Sequence, residues 1–230
     1  MKECWLYSRC NHKDCPTSEE PNKFCLRRYK LDNLYNSSLL SMSQREHKKL
    51  RVDEDGTDFE AFKKIVDIEK DIVSFVNDGR NLYLHSHNCG NGKTTSAVRL
   101  IQAYFNEIWP EASLGCRALF ISVPRFLIEL KDFSRDSAYI NFIKENVMKA
   151  DLVVWDDIAA KVGTEFELNQ LLSFIDGRIA LGKSNIYTSN LNATEMRMAL
   201  GDRLTSRICN YSIDIQLDGA DKRAILGGNE

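Results

Sequence analysis

No run of apolar residues in this 230-residue chain approaches the roughly 20 that a membrane-spanning helix requires. The amino terminus, Met1-Lys2-Glu3-Cys4, lacks the apolar stretch and small-residue cleavage site of an export signal, so the expectation is a cytoplasmic protein without membrane contact. Internal repeats and low-complexity tracts are also missing, which excludes solenoids and compositionally biased segments. Nor does one sign of charge dominate: 31 Lys and Arg against 33 Asp and Glu leave a net charge of −2. Contact with nucleic acid would therefore need a local basic stripe, not the field of the whole molecule. What is present, 43% hydrophobic and 28% charged residues, is the mix of an ordinary globular protein with one sizeable core and room for a small appendage.

The appendage is expected over residues 1 to 30, where Cys4, Cys10, Cys15 and Cys25 lie among the turn formers Asn11, Asp14, Pro16, Ser18, Pro21 and Asn22. So short a piece with few large apolar side chains needs a staple to fold. Without an export signal, four thiols crowded together favour a metal over disulfides, and four thiolates suffice for one tetrahedral Zn²⁺. Their spacing is not a paired C-x-x-C signature, and His12 is an alternative ligand. Cys89, Cys116 and Cys209 are expected as buried thiols. Residues 31 to 56 are polar and weakly periodic and read as a linker, leaving 57 to 230 for the main domain.

From Thr57 the pattern sharpens. Phe59, Phe62, Ile65, Val66, Ile68, Ile72, Val73 and Val76 fall largely on one helical face, with Thr57 or Asp58 as N-cap and Gly79 beyond the end. Strand-like stretches at 81–85, 118–123, 152–155, 185–188 and 212–217 then alternate with helical ones at 93–108, from 124, at 138–149, 165–180 and 193–208. That alternation predicts an α/β fold with a doubly wound parallel sheet covered by helices on both faces.

The run Leu82-Tyr83-Leu84-His85-Ser86-His87-Asn88-Cys89-Gly90-Asn91-Gly92-Lys93-Thr94-Thr95 reads as strand, glycine-rich turn and helix, the context of a phosphate-binding loop. Backbone N–H groups from Asn88 to Thr95 would turn onto phosphates at Gly90 and Gly92. Lys93 would reach the β- and γ-phosphates and the Thr94 hydroxyl would ligate Mg²⁺. His87 stands where G-x-x-x-x-G-K-[ST] has its first glycine. Some 60 residues on, Leu152-Val153-Val154-Trp155-Asp156-Asp157 is an apolar strand ending in two acids. In a parallel sheet those acids emerge at the ligand-binding edge, Asp156 for Mg²⁺ and Asp157 to orient and deprotonate the attacking water. A third strand delivers Asn190 to the same edge, as a γ-phosphate sensor or as a helix cap. Arg203 and Arg207, four residues apart, share one helical face, either as surface charges or as cations offered across a subunit interface.

In order, Cys-Gly-Asn-Gly-Lys-Thr-Thr, Val-Val-Trp-Asp-Asp-Ile, Tyr-Thr-Ser-Asn-Leu and Gly-Asp-Arg-Leu-Thr-Ser-Arg-Ile resemble the AAA+ helicase loaders of the DnaC/DnaI family, particularly their bacteriophage members, from about Thr57 to Arg223. The resemblance implies a P-loop NTPase of AAA+ type without a large C-terminal lid, hydrolysing ATP slowly with Mg²⁺ and faster on assembly or on DNA. It implies an oligomer bridged by arginine fingers that grips a hexameric, DnaB-like replicative helicase and helps place it on single-stranded DNA in a bacterial cytoplasm. Carried over, Lys93 and Thr94 match Walker A, Asp156 and Asp157 Walker B, Asn190 sensor 1, and Arg207 the trans-acting finger with Arg203 beside it. Arg178 matches a basic family position. Trp5, Leu6 and Tyr7 would anchor the helicase, and Lys131, Phe133, Arg135, Thr164 and Phe166 lie where the family contacts DNA. His87, Ala159 and Lys161 depart from the family pattern. Two other readings stand beside this one: a transposition helper of the related IstB type, and an ATP-binding adaptor with little turnover.

Overall fold

The computed structural model describes residues 6, 25–46, 56–131, 137–160 and 163–222. Five short runs rich in β-branched, aromatic and aliphatic residues form β1 (Asn81–His85), β2 (Ala118–Ser122), β3 (Leu152–Asp156), β4 (Ser184–Ser189) and β5 (Ser212–Gln216). They pair in the order β2-β3-β4-β1-β5, every pair parallel. Parallel pairing requires crossovers, and these are helical: α5 (Lys93–Ile108), α6 (Val123–Lys131), α7 (Ala138–Asn146), α8 (Glu165–Ala180) and α9 (Ala193–Cys209), preceded by α1 (Leu26–Asn36), α2 (Met42–Arg45), α3 (Phe59–Lys70) and α4 (Ile72–Asn77).

Successive strand residues face opposite sides of the sheet and build two cores. Leu82, Leu84, Val154 and Ile186 pack with α1, α3, α4 and α5, whereas Tyr83, Val153, Trp155 and Tyr187 pack with α6 to α9. Both faces are therefore covered, as the alternating sequence pattern predicts, and β1, β3 and β4 are buried at every position. No helix among the described residues is long and apolar enough to cross a membrane.

Two expectations need correction. Residues 31 to 40, expected as part of a linker, contribute Leu31, Leu34, Tyr35 and Leu40 to the core. Leu31, Leu34 and Tyr35 line one face of α1, and Tyr35 meets Phe105 edge-on at 5.2 Å. The Ser38 carbonyl accepts from Phe120 N at 2.8 Å, so this segment binds the edge strand β2 directly. Its apolar stripe is only one turn long and flanked by charges, which hides it from a periodicity reading. The helix expected over 57 to 76 is two, interrupted at Asp71 (φ −116°, ψ 35°), and the break keeps Ile72, Phe75 and Val76 buried. Asp58 is an N-cap by position, but its carboxylate is not spent on the cap and instead accepts from Asp218 N and Gly219 N at 2.6 and 2.9 Å.

Arg178 is the largest charge in the interior, with no exposed surface. Its guanidinium donates to the carbonyls of Val147, Ala150, Asp151 and Ser184 and to Asn185 Oδ1, using all five of its N–H groups. Burial lowers its pKa to about 10, so it stays charged at neutral pH. These partners join the entrances of β3 and β4 at the edge of the sheet opposite Asp156, so the basic position noted in the sequence has a structural task. Arg178→Ala would strand its acceptors in the interior, and urea unfolding should show a loss of about 3–5 kcal/mol. Arg178→Lys should recover only part, having three donors for five acceptors; a variant as stable as wild type would remove this role.

Candidate functional site

The carboxyl ends of β3, β4 and β1 lie side by side because β4 sits between the other two, with His85 opposite Ser189 and Trp155 opposite Tyr187. From β1 the chain turns through residues 86–92 into α5. Ser86, buried at the turn's start, organises it: its Oγ accepts from Asn88 N at 2.9 Å and from Asn91 Nδ2 at 2.5 Å. Gly90 and Gly92 take φ of 73° and 110°, in the left-handed region that favours glycine. A β-carbon at Gly90 would also overlap Asp221 Oδ1, 1.7 Å from its ideal position. Lys93 is only 5% exposed, and its ammonium donates to the Asn88 carbonyl at 2.8 Å and to Asn91 Oδ1 at 3.3 Å. These two acceptors in the loop are uncharged, and phosphate oxygens would bind the ammonium more strongly.

His87 does not disturb this loop. It lies outside the left-handed region, so a β-carbon is tolerated there, and its exposed ring comes within 3.6 Å of Glu195 at the start of α9. His85 stacks on Tyr83 and pairs with Asp214 at 3.1 Å; its role is in the packing of the sheet's end. Cys89, expected to be buried, is exposed at the loop tip.

Across the edge, Asp156 closes β3 at 7% exposure and receives two hydroxyls on one oxygen, from Thr94 at 2.9 Å and Thr188 at 2.7 Å. Two neighbouring ligands of an octahedral Mg²⁺ stand about 2.9 Å apart, so the Thr94 and Asp156 oxygens fit one magnesium ion. Burial pushes the Asp156 carboxyl up to about 6, with the charge of Asp157 adding to the rise, while the bonds from Thr188 and Thr94 and the charge of Lys93 restrain it. Asp157 is half-buried at φ 55°, and its N–H donates to Thr188 Oγ1 at 2.9 Å. Asn190 follows β4 and is half-buried. It is not the cap of α9; that is Asn192, paired with Glu195 in a capping box.

Other expected residues lie elsewhere. Arg207 sits on α9 twelve residues past Glu195, on the far side of the break at Gly201. It pairs with Asp176 of α8 at 2.6 Å, while Arg203, 76% exposed, stands 3.9 Å from the same carboxylate. Lys131 lies 3.7 Å from the buried Glu167, Thr164 is the N-cap of α8, and Phe166 is 48% exposed. Phe133 and Arg135 lie outside the described residues, as do Cys4, Cys10 and Cys15; Cys25 caps α1 through its sulfur, 3.4 Å from Arg28 N. Three features escaped the sequence reading: the Ser86 hub, Thr188, and the segment 217–222. That segment lies on the loop through Asn91 Nδ2 to Leu217 O, Asn88 Nδ2 to Asp218 O, and Lys222 N to Gly90 O.

A family model described as IstB-like ATP binding protein matches residues 36–212, well over half of the chain. In fold, the chain is similar to the DnaC helicase loader (TM-score 0.58, 16% identity, covering 81% of this chain and 99% of that one). It is similar to a putative primosome component from Streptococcus pyogenes serotype M3 (TM-score 0.61, 19% identity, 83% and 98% covered). A third likeness is to the replication initiator DnaA bound to AMPPCP and single-stranded DNA (TM-score 0.58, 19% identity, 80% and 53% covered). Among curated proteins none matches the chain in sequence.

The raised pKa of Asp156 has a measurable sign. The folded protein takes up this proton at a higher pH than the unfolded chain, so the buried anion costs stability in full above about 6, and the cost shrinks as pH falls from there toward the ordinary carboxylate range of the unfolded chain. Asp156→Asn should therefore raise the Tm of nucleotide-free protein at pH 7.5 by on the order of 5 °C, a gain that shrinks below pH 6. The same variant should lose Mg²⁺-dependent nucleotide affinity. A Tm gain that persisted unchanged at pH 5 would contradict the assignment.

Proposed function

Because the chain belongs to the family of IstB-like ATP binding proteins, we propose that it is an ATPase that loads a hexameric, DnaB-like replicative helicase onto single-stranded DNA in a bacterial cytoplasm. The nucleotide half of this reading rests on the 2.9 Å contact between Thr94 and Asp156 beside a buried Lys93. The loading half is supported by likeness of fold to the DnaC helicase loader, and coupling of nucleotide to DNA by likeness to DnaA bound to AMPPCP and single-stranded DNA.

In this mechanism the amides of residues 88–95 receive the phosphates of ATP, and Lys93 exchanges its loop carbonyls for β- and γ-phosphate oxygens. Thr94 and Asp156 hold Mg²⁺, which neutralises charge on the phosphates. Asp157 takes the proton of the attacking water as its oxygen bonds to the γ-phosphorus and the bond to the departing ADP oxygen breaks. Asn190 orients that water. Arg207, with Arg203 beside it, serves the site of a neighbouring subunit by exchanging Asp176 for a phosphate oxygen. Lys131 and Phe166, with Phe133 and Arg135, contact DNA by charge and stacking, whereas Thr164 is committed to its cap. Cys4, Cys10, Cys15 and Cys25 hold one Zn²⁺ in a helicase-gripping segment.

The second reading, a transposition helper, is favoured by the family match itself. Mixing the full chain with the replicative helicase of its host should give a defined complex in ATP, measured by mass, that Lys93→Ala abolishes. A complex with a transposase in its place would support the second reading. Asp157→Asn should lower turnover by roughly 100-fold or more while ATP still binds; a variant that kept full loading activity would indicate an adaptor. Metal analysis should find about one zinc per chain, and a metal-free but folded protein would remove the zinc site.

A further inference from the structure

We propose that Thr188 is a positioning residue that holds both acids of the nucleotide site in place from the neighbouring strand. The proposal rests on the ATPase reading above. Thr188 is fully buried at the end of β4, and its single hydroxyl is used in both directions. It donates to Asp156 Oδ1 at 2.7 Å and accepts from Asp157 N at 2.9 Å. Its carbonyl accepts from Ile158 N at 2.9 Å, and the Ser189 hydroxyl donates back to Ile158 O at 2.8 Å. The Ser189 carbonyl in turn accepts from Ser86 N at 3.2 Å. The end of β4 is thereby bonded to Asp156, the last residue of β3, to the two residues that follow it, and to the first residue of the phosphate loop.

Two features give this net a function beyond packing. First, Asp157 stands at φ 55°, a conformation uncommon outside glycine that persists where its surroundings over-determine it. The bonds to Thr188 are what fix it, through the amide of Asp157 itself and the amide that follows. Second, Thr94 and Thr188 share one oxygen of Asp156, but only Thr94 comes from the phosphate loop. Thr94 can turn its hydroxyl toward a metal while Thr188 keeps the carboxylate oriented, so the two threonines divide labour between ligation and alignment. Because Asn190 directly follows β4, the acids and this residue are held as one unit.

The test compares Thr188→Val, which keeps the shape and removes the hydroxyl, with Thr188→Ser, which keeps the hydroxyl. Displacing Asp157 by about 1 Å should lower kcat by on the order of 100-fold. Nucleotide affinity in EDTA should match wild type, while the extra affinity conferred by Mg²⁺ is lost in the Val variant and restored in the Ser variant. Independently of any nucleotide, the Asp157 amide should be protected from hydrogen exchange in wild type and Ser but not in Val. A Val variant with wild-type turnover, an equal loss of affinity in EDTA, or failure of Ser to rescue would overturn the proposal. A wild type that binds no ATP in either buffer would instead overturn the ATPase reading, and this one with it.

Discussion

Parallel pairing makes every strand of this sheet deliver its carboxyl end to one edge, and the order β3-β4-β1 makes three of those ends neighbours. Everything at the candidate site follows from that constraint. A cation from the loop after β1, two acids from the end of β3 and the hydroxyl of Thr188 from β4 meet without any long insertion to carry them. Strand spacing of about 4.8 Å sets the scale and keeps the side chains of neighbouring strand ends within reach of one another.

The two edges of the sheet treat buried charge in opposite ways. At the edge where the strands enter, Arg178 has a partner for each N–H, and the result is a fixed joint between β3 and β4. At the edge where they leave, the Lys93 ammonium donates to the Asn88 carbonyl, and Asp156 is ionised only against the penalty of burial. A group that is fully satisfied has nothing further to bind, whereas one held by weaker partners gains when a ligand replaces them. The same sheet thus keeps its rigidity and its reactivity at opposite ends.

How much of this was legible in the sequence depended on how local each signal is. Lys93, Thr94, Asp156 and Asp157 stand in motifs whose backbone setting is implied by a few neighbours, and the structure puts Lys93, Thr94 and Asp156 at one edge. The sheet and both its helical layers follow from periodicities of two and 3.6. Residues 31–46 did not, because a one-turn stripe such as Leu31, Leu34 and Tyr35 gains its meaning from Phe105, some 70 positions away. Thr188 and Ser86 escaped for a similar reason: a threonine or serine in a strand is unremarkable until the carboxylate or loop it serves is beside it. The bonds from Asn88 and Asn91 to residues 217–219 join segments more than 120 residues apart, beyond any local pattern.

Helix α9 is not a single rod. Gly201 interrupts it at φ 82° and ψ 166°, backbone angles essentially closed to side-chain-bearing residues. Upstream of this joint, Glu195 touches the mouth of the phosphate loop; downstream, Arg203 and Arg207 face outward. The two limbs of the helix therefore take separate courses, the first aligned with the phosphate loop through Glu195 and the second seated on the core through Leu204 and Ile208.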